Sequence, residues 1–181
     1  MTWWSSVRLG EALALRWQDV DLDGGLVHVH RQVVMIGTDL IETPPKAHSD
    51  RFVTIPVETV ELLRQHRSQA GPVLPSARVF TNRAGPPLTP HAVGQAWRRA
   101  RLKAGLSQYR FHDLRHGSAT LATQSGSTLY EVMQRLGHRS MNAAIGYQHA
   151  ASERGPLIAA NMVETARQIT ARSAARAGGQ S

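Results

Sequence analysis

Between Val20 and Pro56 the chain is cut by turn-forming residues into runs too short for anything but the strands of a small sheet. Asp21 to Gly25, then Gly37-Thr38-Asp39, then Pro44-Pro45-Lys46-Ala47-His48-Ser49-Asp50 supply the flexible and proline-fixed backbone of turns. Residues 26–35 (LVHVHRQVVM) are rich in Val and alternate in part, which predicts a strand. Leu40 to Thr43 predicts a short return strand and Arg51 to Ile55 a third, with Pro56 closing the region. The expected result is a small antiparallel sheet carrying Lys46 and His48 near a loop tip.

Outside that region the pattern is helical. In residues 8–17 (RLGEALALRW), Leu9, Ala12, Leu13 and Trp17 recur at helical spacing. Val57 to Gln69 predicts a helix burying Val60, Leu62 and Leu63, and Val79 to Thr81 a short extended piece. Thr89 followed by Pro90 reads as an N-cap and first helical residue, opening a helix that carries Trp97, Arg98, Arg99, Arg101 and Lys103 and ends before Gly105. Phe111 to Gln124, Thr128 to Leu136 and Met141 to Ile145 predict short helices punctuated by Gly126 and Gly137, with Leu114, Ala119 and Leu121 facing inward. A longer helix follows from Ser152 to Thr170, and the small, polar tail 171–181 reads as disordered. The fold class is mainly α with a small antiparallel β-sheet (α+β), one domain over residues 1–170.

A chain of 181 residues suits one domain. Its 21 Lys and Arg against 13 Asp and Glu leave a formal charge of +8, which favours a polyanion such as DNA, RNA or an acidic membrane surface, although solubility alone accounts for such an excess too. The absence of cysteine excludes disulfides, thiolate metal sites and a Cys nucleophile, and fits a reducing compartment. Met1 to Ser6 is too short and polar for a signal peptide, and no run approaches the ~20 apolar residues of a membrane span. These features predict a cytoplasmic protein with no membrane partner.

Four segments could carry chemistry. In Phe111-His112-Asp113-Leu114-Arg115-His116, His112 shares a helix face with Arg115 at i,i+3 and with His116 at i,i+4. A His and an Arg projecting together suit an anionic oxygen; a solvated helix end is the bland alternative. Zinc chelation by the two histidines would lack the Glu of an HExxH pattern and any Cys. His138, in Leu136-Gly137-His138, precedes Tyr147 by nine residues. Tyr147 is a possible covalent nucleophile whose phenol, with a reference pKa of ~10, needs a base or electrostatic help, although core and interface tyrosines are commoner. Near the N-terminus, Glu11 lies three residues from Arg8 and either orients that guanidinium or forms a surface ion pair.

Taken together, Arg8, a hairpin lysine, His112-x-x-Arg115, Gly137-His138 and Tyr147 stand in an order and spacing that resembles the tyrosine recombinase (phage integrase) family. RLGEALALRWQDVD looks like its first motif, TPPKAHSDRFVTIP its lysine hairpin, FHDLRHGSATLA its second motif and LGHRSMNAAIGYQHA its third; the match runs from Ser5 to Ala160. The tail YQHAASERGPLIAANM is most like integrases of actinobacterial phages. The resemblance implies the family's catalytic-domain fold and site-specific recombination of double-stranded DNA through a 3′-phosphotyrosine link, with no metal or organic cofactor and no small-molecule substrate. Arg8 and Arg115 would hold the phosphate oxygens, Tyr147 would attack, Lys46 would protonate the leaving 5′-hydroxyl, and His112 and His138 would bond the phosphate or the nucleophile, with Glu11 supporting Arg8. Arg98, Arg99, Arg101 and Lys103 would face DNA phosphates or simply form a solvated face. Relatives act as homo-tetramers on two duplexes. His28, His30 and His48 are given no role.

Two features depart from the family pattern. The glycine usually found two residues before the first arginine is here Ser6. Arg8 is the eighth residue, whereas family members carry a helical core-binding domain and further helices before it, so an N-terminally truncated catalytic domain is expected. Trp3 and Trp4 would either patch the uncovered side of the first helix or lie exposed. A catalytically idle remnant that only binds DNA or a partner is the competing reading, and an RNA- or membrane-surface protein a third, resting on charge alone.

Overall fold

The structure is a computed structural model that describes residues 1–45, 49–82 and 85–137. Lys46, His48, His138 and Tyr147, the predicted helices Met141 to Ile145 and Ser152 to Thr170, and the tail 171–181 lie outside the described residues. Turn residues cut the chain into five strands: β1 (Val20–Asp21), β2 (Leu26–Val29), β3 (Gln32–Ile36), β4 (Asp39–Thr43) and β5 (Arg51–Thr54). Gly25 and Gly37 both take φ 61°, the left-handed turn conformation that glycine adopts without a steric penalty.

The strands form two small antiparallel sheets instead of one. β1, β2 and β5 make the first, in that order, and β3 pairs with β4 in the second. The strand expected over residues 26–35 is interrupted at His30-Arg31. There Asp19 Oδ1 meets His30 Nε2 at 3.0 Å and Arg31 Nη2 at 3.3 Å, so both residues are drawn to an acid outside the ladder. β5 therefore pairs with β2 and not with the return strand. Its register sets Val27 against Val53 and Val29 against Arg51 on the buried face, and His28 against Phe52 on the outer face.

The helices are α1 (Thr2–Ser5), α2 (Leu9–Ala14), α3 (Val57–Ala70), α4 (Pro90–Lys103), α5 (Asp113–Gln124) and α6 (Leu129–Leu136). The predicted helix 8–17 is shorter than expected. Leu15 turns extended, and the Asp19 carboxylate caps the Arg16 N–H at 2.9 Å, closing a single 3-10 turn over Trp17–Asp19. The N–H groups of Trp17 and Gln18 go instead to the carbonyls of Ala77 and Pro75. The Thr89 cap is present, with Oγ1 accepting from the Ala92 N–H at 3.2 Å. On α3 the buried stripe is Thr59, Val60 and Leu63; Leu62 lies off it, 63% exposed. On α5 Ala119 is buried, whereas Leu121 sits outside, because Arg115, Ser118 and Thr123 take the inner face with it.

The main core joins the inner face of the first sheet (Val20, Val27, Val29, Val53) to Val60 and Leu63 of α3 and to Ala12 of α2, followed by Leu15 and Trp17. Each buried Val or Leu among them contributes ~1.5–3 kcal/mol by leaving water. α2 lies so close to β3 that a Cβ on Gly10 would stand 2.5 Å from the Val33 carbonyl oxygen. α1 crosses α5 at Gly117, where any side chain would collide with the Trp3 ring. Trp3 is thus packed against α5, while Trp4 is 42% exposed. These two close approaches fix the segment Ser6-Val7-Arg8 between α5 and the sheets. Among the described residues no helix is long and apolar enough to cross a membrane.

Candidate active site

Arg8 occupies the N-cap of α2, and its aim is set by the helix it opens. Its backbone N–H donates to Glu11 Oε2 at 2.7 Å and its Nη1 to Glu11 Oε1 at 2.9 Å. The Glu11 carboxylate is fully buried, so it demands further partners. Arg51 supplies them from the buried face of β5: Nη2 to Oε2 at 2.9 Å and Nη1 to Oε1 at 3.2 Å. Each carboxylate oxygen thus accepts two hydrogen bonds, filling the acceptor capacity of the group. Burial works to raise the Glu11 pKa, but the hydrogen bonds and charge of Arg51, with the backbone N–H and charge of Arg8, outweigh it and hold the carboxyl below its ordinary value.

Arg115 projects from α5 into the interior and is 2% exposed. Its Nη1 donates to the carbonyl of Ser6 and its Nη2 to that of Leu136. One guanidinium therefore ties the backbone just before Arg8 to the end of α6, where Gly137 leads into His138. Ser6 presents its carbonyl from a left-handed conformation, φ 56° and ψ 18°, a shape that a family glycine adopts without strain. Its hydroxyl shares a buried 2.6 Å hydrogen bond with Ser118 of α5. At the other tie, Gly137 has φ 64°, and a Cβ there would lie 2.7 Å from the Ser49 Cβ and 3.0 Å from Arg51 Nη1. Arg51 also donates from Nε to the Arg135 carbonyl at 2.9 Å, so it braces both α2 and α6.

His112 stands at the exposed N-cap of α5, its ring edge-on to His116 at 4.6 Å between centroids. Its pKa is lowered, first by loss of water contact, then by the nearby charges of His116, Arg115 and Arg8, against the opposing pull of Asp113. Both arginines of the candidate site therefore act on one imidazole. The structure joins Arg8 to Glu11 and ties Arg115 to the Ser6 carbonyl two residues before Arg8, with His112 at the start of the Arg115 helix; Lys46, His138 and Tyr147 lie outside the described residues. Among the described residues no group of His, Cys, Asp or Glu side chains is placed to hold a metal ion.

The sequence profile of the phage integrase family matches residues 4–154. The chain belongs to the phage integrase family. Among its relatives, the putative prophage phiRv2 integrase of Mycobacterium tuberculosis is 38% identical over 163 residues, which cover 88% of this chain and 44% of that protein. The integrase of Mycobacterium phage L5 is 34% identical over 169 residues, 91% of this chain and 46% of that one. The chain spans about half the length, or less, of the curated relatives it matches. Their mycobacterial source agrees with the actinobacterial resemblance of the tail. In fold, the Tn1549 transposon integrase in complex with transposon right end DNA superposes with a TM-score of 0.73 at 17% identity, over 87% of this chain and 56% of that one. The XerA recombinase superposes at 0.66 with 25% identity, over 83% and 52%. The α+β fold of tyrosine recombinase catalytic domains is the one observed.

Within this integrase fold the cations of α4 divide. Arg98, Arg99 and Lys103 are exposed. Arg101 is half-buried and donates from Nη1 to the Tyr109 carbonyl at 2.7 Å, where Trp97 Nε1 also donates at 3.2 Å. It pins the segment leading to His112. Sequence reading overlooked Arg51, although period-two alternation in Arg51-Phe52-Val53-Thr54 places it on the same face as Val53. A buried arginine on a strand calls for an acid, and Glu11 is that acid.

Proposed function

We propose that this phage integrase family chain cuts and rejoins DNA by site-specific strand transfer, with residues 1–170 acting as its catalytic domain. The observation that carries this reading is the family match over residues 4–154, a span that holds Arg8, His112, Arg115 and Tyr147. A phosphodiester is already anionic and gathers charge on its oxygens during displacement, so two guanidiniums beside an imidazole suit it. Tyr147 attacks phosphorus in line, forming a Tyr–phosphate bond at the 3′ side as the bond to the 5′ oxygen breaks. His112 takes the phenol proton, a role for which its lowered pKa keeps it neutral. Lys46 gives a proton to the departing 5′ oxygen, and His138 bonds the phosphate. A 5′-hydroxyl from a partner strand reverses the step and frees Tyr147, conserving the bond energy. Glu11 and Arg51 hold Arg8 in place, Arg98, Arg99 and Lys103 meet flanking phosphates, and four copies assemble on two duplexes inside the cytoplasm.

A second reading, a DNA-binding remnant without chemistry, draws support from Arg115, whose two terminal nitrogens both serve backbone carbonyls. A library of nicked duplexes of randomised sequence separates the two. A covalent protein–DNA adduct on a denaturing gel, lost in Tyr147→Phe, is the result expected of the strand-transfer enzyme; DNA binding without an adduct is that of the remnant.

A further inference from the structure

Away from the Arg8–Arg115 centre, guanidinium groups gather around a cavity beside β4. It measures about 470 Å³ and is lined by Arg16, Gln18, His30, Arg31, Glu42 and Thr43 among others. We propose that this cavity is a second phosphate-binding site, taking a DNA backbone phosphate distinct from the one being cut. The inference rests on the reading that the chain binds DNA.

Charge supports it first. Three arginines surround the single Glu42 carboxylate: Arg16 Nη2 at 3.1 Å, Arg78 Nη2 at 3.7 Å and Arg31 Nε at 3.9 Å. Only the first is within hydrogen-bond distance, so Glu42 satisfies one guanidinium and merely attracts the other two. Asp19, the next acid, is shared by Arg31 and His30. Arg16 Nε, moreover, is enclosed with no hydrogen-bond partner. An enclosed N–H without an acceptor is costly, and planar arginine forks match the oxygens of a phosphate. A phosphodiester entering here would offer the Arg16 and Arg31 guanidiniums a second anion beside Glu42, and the enclosed Arg16 Nε is reached only if that side chain shifts.

Position supports it second. Thr43 ends β4 and stands three residues before Lys46 in the sequence, so the cavity lies beside the segment that the functional reading assigns to DNA. Arg8 and Arg16 flank α2, whose six residues span about 9 Å. Successive nucleotides of one strand rise by ~3.4 Å, so the two sites address different phosphates. Glu42 then acts as a resident anion that the DNA must displace.

The test is the salt dependence of binding to a short fluorescent duplex of arbitrary sequence, followed by anisotropy. Arg16→Gln is expected to weaken binding several-fold and lower the logarithmic salt slope by about one. Glu42→Gln is expected to tighten binding several-fold, a gain that misfolding does not produce. Glu61→Gln, which removes an equal charge on exposed α3, controls for net charge and is expected to do much less. An unchanged slope in Arg16→Gln, or equal gains from Glu42→Gln and Glu61→Gln, would overturn the site while leaving DNA binding intact. Failure of the unaltered chain to bind the duplex would remove the DNA-binding reading, and the site with it.

Discussion

Arg51 on β5 and Glu11 on α2 meet through two parallel hydrogen bonds, 2.9 and 3.2 Å long, with both side chains buried. The pair ties a strand to a helix across 40 residues of sequence, and the same carboxylate holds the backbone and side chain of Arg8. The orientation of Arg8 is therefore built from the core outward.

Removing the acid leaves a buried guanidinium without its counter-charge, a loss of about 3–5 kcal/mol in comparable sites. Glu11→Gln is expected to lower stability by an amount in that range, measured by urea unfolding near neutral pH. Because the folded Glu11 pKa is depressed, its stabilisation is complete above the ordinary glutamate value and fades as pH falls through the lowered one. The gap between Glu11→Gln and the unaltered chain should accordingly narrow in acid.

Ser6 holds its left-handed backbone at a cost of ~1–2 kcal/mol, against which it gains the buried bond to Ser118. Ser6→Gly alone relieves the strain but strands the Ser118 hydroxyl, an effect of ~1–3 kcal/mol in the opposite sense. The informative comparison is made without either hydroxyl: in a Ser118→Ala background, Ser6→Gly is expected to be about 1 kcal/mol more stable than Ser6→Ala. Thermal unfolding of the two double variants measures it.

Gly137 faces two obstacles to any side chain, its positive φ and the nearness of Ser49 and Arg51. Gly137→Ala is expected to destabilise by ~1–3 kcal/mol and to reduce DNA cleavage further than the stability loss explains, since it shifts the start of the segment that carries His138. Cleavage assayed at a temperature where the variant is fully folded separates the two effects.

Protonation of His112 is disfavoured by partial burial and by the cations around it. If it receives the phenol proton, cleavage should persist to lower pH than a free imidazole of pKa ~6.5 would permit and then fall as pH drops further. His112→Asn should lose that acid limb along with most of the rate. A pH–rate profile of adduct formation in both chains checks this.

The parts of this molecule legible in its sequence are those specified over a few residues. Glycine and proline turns set the strand boundaries and Thr89-Pro90 announced α4, whereas the expected joint projection of His112 and Arg115 gives way to an exposed His112 and an Arg115 drawn inward by two backbone carbonyls. What escaped depends on distant partners. Asp19 splits a continuous-looking Val-rich run by binding His30 and Arg31, and the same residue shortens the first helix by capping Arg16. The alternation of β5 turned Arg51 inward, but only Glu11, on another element, gives that burial its meaning. Arg101 looked like one of a row of surface cations until the Tyr109 carbonyl claimed it.

The most direct test of the central claim is to map the covalent site. Adducts captured on nicked duplexes would be digested with protease and nuclease and the modified peptide sequenced by mass spectrometry. The account predicts a nucleotide remnant on Tyr147, with adduct yield falling at least tenfold in Arg8→Ala and in Arg115→Ala variants that stay folded, about 1.4 kcal/mol or more of lost transition-state binding. A remnant on any other residue, or full yield without either arginine, would contradict it.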